Sequence, residues 1–325
     1  MSITGHSELD AIDDPMDAPK GTSRRGDAIF RGLAAGSGVI VIALIVGVAA
    51  FLISQAAPAL AKNKANFLTD RVWDLGNLAA PSFGIPDLLW VTVISATLAL
   101  VFAVPVSVGL ALFLTQYAPR RLATPFAYLV DLLAAVPSIV YGLWGYQVLR
   151  NYVNPVQDFL SGTLGFLPVF KDVGVTSGIF LASIVLAIMI TPIITAISRE
   201  VFAQTPQFHI EAAYALGATR WEMIRTAVLP FGRPGVISAS MLGLGRALGE
   251  TIAVAIIISK VADFNWSFFS GGQTFASKIA LSAAEFDSPT KTGAYIAAGL
   301  VLFILTFIVN AIARIVIERG KAFSE

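Results

Sequence analysis

Six long apolar stretches, separated by polar or Pro- and Gly-rich connections, dominate the hydropathy pattern of the chain. A helix that crosses the hydrocarbon core of a bilayer needs about 20 mostly apolar residues, and each stretch is long enough. The stretches are rich in Ala, Gly and Leu and lack strand-like alternation, so they predict an all-α, polytopic membrane helical bundle rather than a barrel. They run over about 33–57, 88–117, 122–149, 173–198, 236–259 and 293–313.

The composition excludes most other classes of protein. Of 325 residues, 56% are hydrophobic and only 13% are charged, about half the charged share of a soluble domain. A formal net charge of +1 lacks the basic surplus of a nucleic-acid binder. With no cysteine and two histidines, the chain has no thiolate chemistry and too few imidazoles for a typical metal site. We therefore expect an integral membrane protein without a catalytic or metal centre.

The distribution of Lys and Arg predicts the orientation. Six spans place both termini on one side, and if that side is the cytoplasm, thirteen Lys and Arg residues lie inside and eight outside, as the positive-inside rule favours. The predicted location is the bacterial cell (inner) membrane, with both termini cytoplasmic. Residues 1–23 are polar and acidic and lack the apolar core of a signal peptide. They predict a disordered cytoplasmic tail ahead of one membrane domain over 24–325.

The connection between the fourth and fifth stretches, over about 199–235, is predicted to contain two short helices. Thr205-Pro206 is a suitable helix start, and Gly217 suits a left-handed C-terminal cap. Thr219 and Glu222 form a capping box that opens a second helix, expected to end at Leu229-Pro230. Local chemistry alone leaves open an ordinary interfacial helix.

The spacing of Glu211-Ala212-Ala213, Gly217 and Leu229-Pro230 resembles the EAA loop of ABC importer permeases, EAA-x3-G-x9-I-x-LP, with Ala227 at the Ile position. The resemblance implies the type I ABC importer permease fold with six transmembrane helices. It also implies that this loop is a coupling helix that sits in a groove on a cytoplasmic ATPase subunit. Glu211, Ala213 and Gly217 are the positions carried over for that role.

The fifth stretch carries two charges that cannot face lipid. Arg246 and Glu250 stand four residues apart, on one face of a continuous helix, and a charge near the bilayer centre is costly. We expect both side chains to face the bundle interior or an aqueous path. Gly245 and Gly249 form a G-x-x-x-G stripe on the adjoining face, which would let another helix approach closely.

Three interpretations of the Arg246–Glu250 pair follow from its chemistry. The pair could neutralise itself as an internal salt bridge. It could belong to a proton relay, although Asp131 is the only other carboxylate well inside an apolar stretch. It could also bind an anion, because the guanidinium fork matches oxyanions bidentately while Glu250 tempers the attraction.

The stretch GLGRALGETIAV, residues 243–254, resembles the signature of phosphate-specific (Pst) importer permeases, and is closer to the C subunit than to the A subunit. Residues 26–31 and 136–145 resemble the same family. This resemblance implies inorganic phosphate as the cargo, with Arg246 and Glu250 in its path. It also implies a second, PstA-like permease, a PstB-like ATPase dimer and an extracytoplasmic PstS-like phosphate-binding protein.

The energy for transport is expected to come from a partner. No G-x-x-x-x-G-K-[ST] loop occurs in the sequence, so ATP and Mg are expected on the ATPase, with no cofactor on this non-catalytic chain. Two alternatives stay open, an ABC permease for another oxyanion and a stand-alone ion-coupled secondary carrier. The chemistry of the pair does not by itself separate phosphate from related oxyanions.

Overall fold

The computed structural model describes residues 24–261 and 263–321, which fall into two compact units divided between Phe51 and Leu52. The first unit holds α1 (Arg24–Lys62) up to Phe51, and the second holds the end of α1 and every later element. The acidic tail predicted over 1–23 lies outside the described residues. The single membrane domain over 24–325 stays a prediction.

Helices make up most of the second unit, and one short hairpin, β1 (Trp73–Asp74) with β2 (Ser82–Phe83), joins α1 to α2. The later helices are α2 (Pro86–Leu112), α3 (Arg120–Ala134), α4 (Ser138–Trp144), α5 (Arg150–Leu164), α6 (Ile179–Ala203), α7 (Gln207–Ala215), α8 (Arg220–Met223), α9 (Leu229–Gly249), α10 (Ile252–Ile257), α11 (Phe275–Leu281) and α12 (Pro289–Lys321). Single π-helical turns at Phe113–Tyr117, Gly145–Leu149 and Ile224–Val228 follow α2, α4 and α8, and 3-10 turns lie at Pro168–Phe170 and Ala283–Glu285.

Within the described residues, five helices are long and apolar enough to cross a membrane, and a bent pair supplies a sixth crossing. The five run over Gly26–Lys62, Pro86–Tyr117, Ile179–Ala203, Arg220–Gly249 and Pro289–Ile315. These helices confirm the predicted multi-pass helical bundle. The stretch predicted over 122–149 is sharply bent, because Arg121–Ala134 and Ser138–Leu164 meet at 90°.

Pro137 explains this bend. Its ring cannot continue a helix and disfavours helical backbone in the residue before it, so the chain leaves α3 at Ala135 and restarts at Ser138. Within α5, the side-chain amide of Gln157 donates to the carbonyl of Val175 at 3.0 Å. Val175 lies just before the start of α6. The bent pair therefore delivers the chain to the start of α6, as one crossing would.

The central helices α2 and α6 define two ends of the bundle. At their C-terminal ends, Leu112 and Phe202 pack against Ile224 and Val228 of the connection that holds α7 and α8. At their N-terminal ends, Ile179 N–H donates to the carbonyl of Ser270 at 2.9 Å, and the β1–β2 hairpin lies close to the start of α2. We call these the two-helix end and the hairpin end. Since α6 has 25 residues, they lie roughly 37 Å apart, enough to span a bilayer.

The core forms where α2, α6 and α9 pack together, with small residues at the closest approaches. Gly243 of α9 faces Ile194 of α6 so closely that a Cβ would stand 2.8 Å from Ile194 Cδ1. Gly232 and Gly235 meet Phe202 and Val201 of α6 in the same way. Glycine therefore sets the distance between α9 and α6.

The contact between α4 and α10 gives a first prediction. A Cβ on Gly142 would stand 2.8 Å from the backbone Cα of Ala253, which cannot rotate away. We expect Gly142→Ala to lower stability by about 1–3 kcal/mol, the usual cost of overpacking, seen as a lower unfolding temperature of the purified protein. Gly109→Ala is the matched control, since a Cβ there meets nothing within 4 Å. Equal unfolding temperatures for the two variants would contradict the tight contact.

Candidate functional site

The connection between α6 and α9 folds as two short helices, α7 and α8, and we call residues 204–228 the two-helix segment. The predicted left-handed cap is confirmed, because Gly217 has φ +80°. Its N–H donates to the carbonyl of Tyr214 at 2.9 Å, and Ala218 N–H donates to the carbonyl of Ala213 at 3.1 Å. These two bonds are the Schellman pattern that closes a helix C-terminus.

The predicted start of α7 is one residue too early. Thr205 does not cap the helix, because its side chain forms no capping hydrogen bond; its N–H donates to the carbonyl of Phe202 at 3.3 Å and completes the last turn of α6. Pro206 takes the cap position with extended backbone, and the helix begins at Gln207. The helices α6 and α7 therefore follow each other with only a short connection between them.

The capping box of α8 is confirmed in full. Thr219 N–H and Oγ1 both donate to Glu222 Oε2 at 2.8 Å, and Glu222 N–H donates back to Thr219 Oγ1 at 3.4 Å. The hydrogen bonds from Thr219 favour the ionised form of the Glu222 carboxylate. The start of α8 is therefore fixed at neutral pH.

The predicted helix end at Leu229-Pro230 is wrong. The chain passes from α8 through the π turn Ile224–Val228 directly into α9, which contains Pro230 in its first turn. Proline is tolerated there because its missing N–H falls where few intrahelical partners exist. The two-helix segment is consequently continuous with the membrane helix that carries Arg246.

The three positions carried over for coupling lie together on α7 and its cap. Glu211 and Gly217 are exposed, whereas Ala213 is half-buried and packs against the cluster of Phe202, Ile224 and Val228. Ala227, at the family's Ile position, is also half-buried beside that cluster. One side of the segment is therefore anchored to α2 and α6, and the other faces outward.

Sequence reasoning missed two apolar side chains on the outward side. Phe208 and Leu216 are 74% and 90% exposed, and Trp221 is also exposed. Large apolar residues next to charged ones, in a segment too short to span a bilayer, were the available signal. Exposed aromatic and aliphatic side chains on a rigid support are suited to a partner's hydrophobic groove.

Arg246 lies near the C-terminal end of α9, on the open side of the bundle. It lines a groove of about 860 Å³ between α6, α9 and α12, together with Ser238, Gly245, Asn310 and Arg314. By helix rise, it stands roughly 25 Å from the start of α9 at the two-helix end, inside the bundle and about two thirds of the way to the hairpin end. The expectation that Arg246 faces a path rather than the packed core fits this position.

Glu250 is not on the same helix as Arg246. The helix α9 ends at Gly249, and Glu250 has extended backbone (ψ 126°) before α10 begins at Ile252. Glu250 Oε1 accepts a hydrogen bond from Ala253 N–H at 3.2 Å, in the first turn of α10. No ion pair joins Arg246 and Glu250 in the described structure. The one-face prediction is wrong, and the self-neutralising salt bridge is not formed.

The break at Glu250 places the end of α9 and the start of α10 beside α4, inside the bundle. Gly142 of α4 packs on Ala253 of α10, and Gly145 packs on Val185 of α6. Broken helices at the bilayer midplane are the usual architecture of transporter binding sites, because freed backbone groups and helix ends then face a cavity. The sequence showed the proline at 137 but gave no sign of the second break.

Gly245 and Gly249 do not pack against a helix of this chain. A Cβ on either would meet nothing within 4 Å in the described structure, in contrast to Gly243 two residues earlier. Since Gly245 lines the open groove beside Arg246, close helix packing at this stripe stays a prediction for a second protein.

Asp131 forms an ion pair with a residue of a neighbouring helix. Its Oδ2 lies 3.7 Å from Nη2 of Arg199, near the C-terminal end of α6. Both side chains are partly exposed, so the pair ties α3 to α6 loosely. Asp131 thus lies away from the groove that Arg246 lines.

Comparison with known proteins identifies the family of these features. The family model described as "Binding-protein-dependent transport system inner membrane component" matches residues 103–321. The chain is 54% identical over 304 residues to "Phosphate transport system permease protein PstC 2" of Mycobacterium tuberculosis, covering 92% of this chain and 94% of that one. It is 55% identical over 297 residues to "Phosphate transport system permease protein PstC" of Mycobacterium leprae, covering 90% and 93%.

A solved structure shares the fold. The inward-facing MetNI methionine ABC transporter matches with a TM-score of 0.53 at 16% identity, over 72% of this chain and 94% of that one. At this identity the likeness concerns the fold alone. It agrees with the permease architecture that the EAA-like spacing implies.

Proposed function

The chain belongs to the family of binding-protein-dependent transport system inner membrane components, and on that premise we propose that it is the permease subunit of an ATP-driven importer of inorganic phosphate. The observation that carries the proposal is the 54% identity, over nearly the whole chain, to a protein named as a phosphate transport permease. The position of Arg246 on an open groove inside the bundle supports it.

Arg246 is the residue proposed to hold the passing anion. Its guanidinium is always charged and offers a planar fork of donors that matches phosphate oxygens. Because Glu250 is turned toward α10 instead of pairing with Arg246, the guanidinium is available to a ligand. Glu250 orders the break beside the site, and its carboxylate keeps an anion from being held too tightly.

The two-helix segment is proposed to receive the energy of ATP binding from a PstB-like ATPase dimer, where ATP and Mg would be held. Exposed Phe208 and Leu216 would enter the groove on that partner, with Glu211 and Gly217 at the contact. Because the segment continues without interruption into α9, a movement of the segment shifts Arg246 directly. The two-helix end would then be cytoplasmic, and both termini would be cytoplasmic by the distribution of Lys and Arg.

The remaining partners follow from the same proposal. A PstA-like permease would complete the path by covering the open groove, and a PstS-like binding protein would deliver phosphate at the hairpin end. The chain itself would then catalyse no reaction. ATP hydrolysis on the partner would reset the bundle and release phosphate inward.

Copurification with transport measurements tests this function. Affinity-purified chain is expected to bring down a P-loop ATPase and a second permease, and the complex with its binding protein should import ³²P-phosphate only when ATP is present. Arsenate is expected to compete, whereas sulfate and molybdate should not. A fully active homo-oligomer without an ATPase would contradict the proposal in favour of an ion-coupled carrier, and preferred transport of sulfate or molybdate would change the cargo.

The glycine stripe gives a second prediction, about assembly. Gly245→Leu is expected to reduce recovery of the second permease about tenfold, because a large side chain would block close helix approach without clashing inside this chain. Gly162→Leu is the matched control, since Gly162 also has open space around it but lies on α5. Equal recovery of the partner by both variants in quantitative pull-downs would show that the stripe is not at the interface.

A further inference from the structure

A second group of positive charges surrounds a cavity at the hairpin end, far from the two-helix segment. The cavity has a volume of about 250 Å³ and is lined by Arg71, Lys260 and Lys278, with carboxylates from Asp87 and Asp263. Its volume equals that of about eight waters, which is enough for one tetrahedral oxyanion and part of its hydration shell. Cations therefore exceed carboxylates at this cavity.

Aromatic rings hold Arg71 in place. Its guanidinium carbon lies 3.8 Å from the ring centre of Phe264 and 4.9 Å from that of Trp266, and Trp90 packs edge-on against Trp266 at 4.7 Å. Asp87 Oδ1 is 3.7 Å from Arg71 Nε, on one edge of the guanidinium. Stacking of this kind orients the planar fork and lowers the entropy lost when it binds a ligand.

Lys278 lies against an aromatic ring. Its Nζ lies 5.1 Å from the ring centre of Trp73, and no ion pair within 4.0 Å involves this ammonium group in the described structure. Burial lowers the pKa of Lys278, Glu285 opposes that shift, and the like charge of Lys260 adds to it. Two ammonium groups near one cavity repel each other, and a bound anion would relieve this repulsion.

The cavity stands next to the path in the chain itself. Lys260 follows α10, the short helix whose first turn is ordered by Glu250, and only 14 residues separate Arg246 from Lys260. The end of this segment is fixed, because Ser259 N–H donates to the carbonyl of Ser177 and Gly272 N–H donates to the carbonyl of Ser259, both at 2.9 Å. The segment between Arg246 and Lys260, held in place at Ser259, thus connects the candidate anion site at Arg246 to the cavity.

We propose that this cavity is an oxyanion site at the outer mouth of the permease, where Arg71, Lys260 and Lys278 take phosphate before it reaches Arg246. The proposal rests on the proposed function, which places the hairpin end outside. Positive charges in a concave, low-dielectric site concentrate anions and raise their capture rate. Asp87 and Asp263 lower the affinity of the cavity for the anion, so that the anion can dissociate toward Arg246.

The test measures phosphate binding and uptake by the complete complex. Lys260→Gln/Lys278→Gln removes two charges and keeps side chains of similar length. With ³²P-phosphate and no binding protein, the detergent-purified wild-type complex should bind one more phosphate equivalent than this variant. In proteoliposomes with binding protein, uptake at subsaturating phosphate should fall about tenfold, the low end of electrostatic focusing, and the difference should shrink at high salt.

The matched control is Lys291→Gln, which removes a lysine that pairs with Asp287 at 2.9 Å outside the cavity. It should bind and transport as the wild type does. Unchanged phosphate binding in the double variant, with active wild-type uptake, would overturn the outer site alone, whereas absence of wild-type uptake would overturn the proposed function. A changed dependence of ATPase stimulation on binding-protein concentration, with unchanged phosphate binding, would identify a protein-docking surface instead. Displacement of ³²P-phosphate by added phosphatidylglycerol would assign the cavity to lipid headgroups and overturn its role in transport.

Discussion

Arg246→Ala is expected to reduce ATP-driven phosphate uptake about a hundredfold while the complex still assembles. A hydrogen bond to a charged group contributes about 1.5–3 kcal/mol, and losing such contacts at the arginine in the last turn of α9 removes the principal attraction for the anion. The side chain lines an open groove and is not paired with Glu250, so its removal leaves no partner charge stranded. The measurement is the initial rate of ³²P-phosphate uptake in cells that lack other phosphate carriers.

Arg246→Lys separates charge from geometry. Lysine keeps the positive charge but lacks the bidentate fork, so its uptake should lie between those of wild type and alanine, about tenfold below wild type. Arg150→Ala is the control, because Arg150 stacks on Tyr146 at 4.7 Å and takes no part in the groove. Normal high-affinity uptake by both Arg246 variants, with normal recovery of the partner subunits, would remove Arg246 from the path.

Gly217→Val is expected to reduce phosphate uptake about tenfold by straining the backbone of the two-helix segment and not by weakening anion binding. Gly217 has φ +80° and open space around it, so the cost of valine lies in the backbone and not in a clash. Left-handed backbone costs about 1–2 kcal/mol for a residue with a Cβ, and a β-branched side chain is among the least tolerant. The Schellman closure of α7 would open, and phosphate-stimulated ATPase activity should fall together with uptake.

Two variants show whether the backbone is the cause. Gly217→Asn should keep most of the activity, because asparagine tolerates left-handed backbone. Gly174→Val applies similar strain at φ +68°, also in open space, but between α5 and α6 near the hairpin end, and should leave the stimulated ATPase unchanged. If Asn and Val at 217 are equally damaging, the contact with the ATPase excludes any side chain, and the backbone explanation fails.

The two breaks in the membrane helices mark where sequence reasoning stopped. At Pro137 the cause was visible in the sequence, since proline bends a membrane helix, but hydropathy did not show that the bend reaches 90°. At Glu250 the sequence GRALGET contains no proline, and the helix ends because Gly249 supports it weakly while Glu250 bonds forward to Ala253. The position of α10 beyond the break depends instead on its close contact with Gly142 of α4, which a local pattern does not contain.

The packing of the glycines was likewise decided by contacts between distant parts of the chain. Gly243 and Gly245 are two residues apart and chemically identical, and the spacing of Gly245 with Gly249 predicted only that some other helix approaches closely at that stripe. Only the position of α6 decides that Gly243 meets Ile194 while Gly245 faces an open groove. The cationic cavity at the hairpin end was equally invisible, because Arg71, Lys260 and Lys278 are spread over more than half of the sequence.

The sequence by itself determined the class of protein, the number of crossings, the two-helix segment with its glycine cap and capping box, and the presence of Arg246 in an apolar stretch. These features depend on hydropathy and on hydrogen bonds between residues three to five apart, which neighbours in the chain decide. The tertiary structure decided where the helices break and which glycines contact a neighbouring helix. It also decided that Arg246 and Glu250 lie on different elements and do not pair. Those outcomes depend on contacts between residues far apart in the chain, whose energies exceed the small local preferences that a sequence displays.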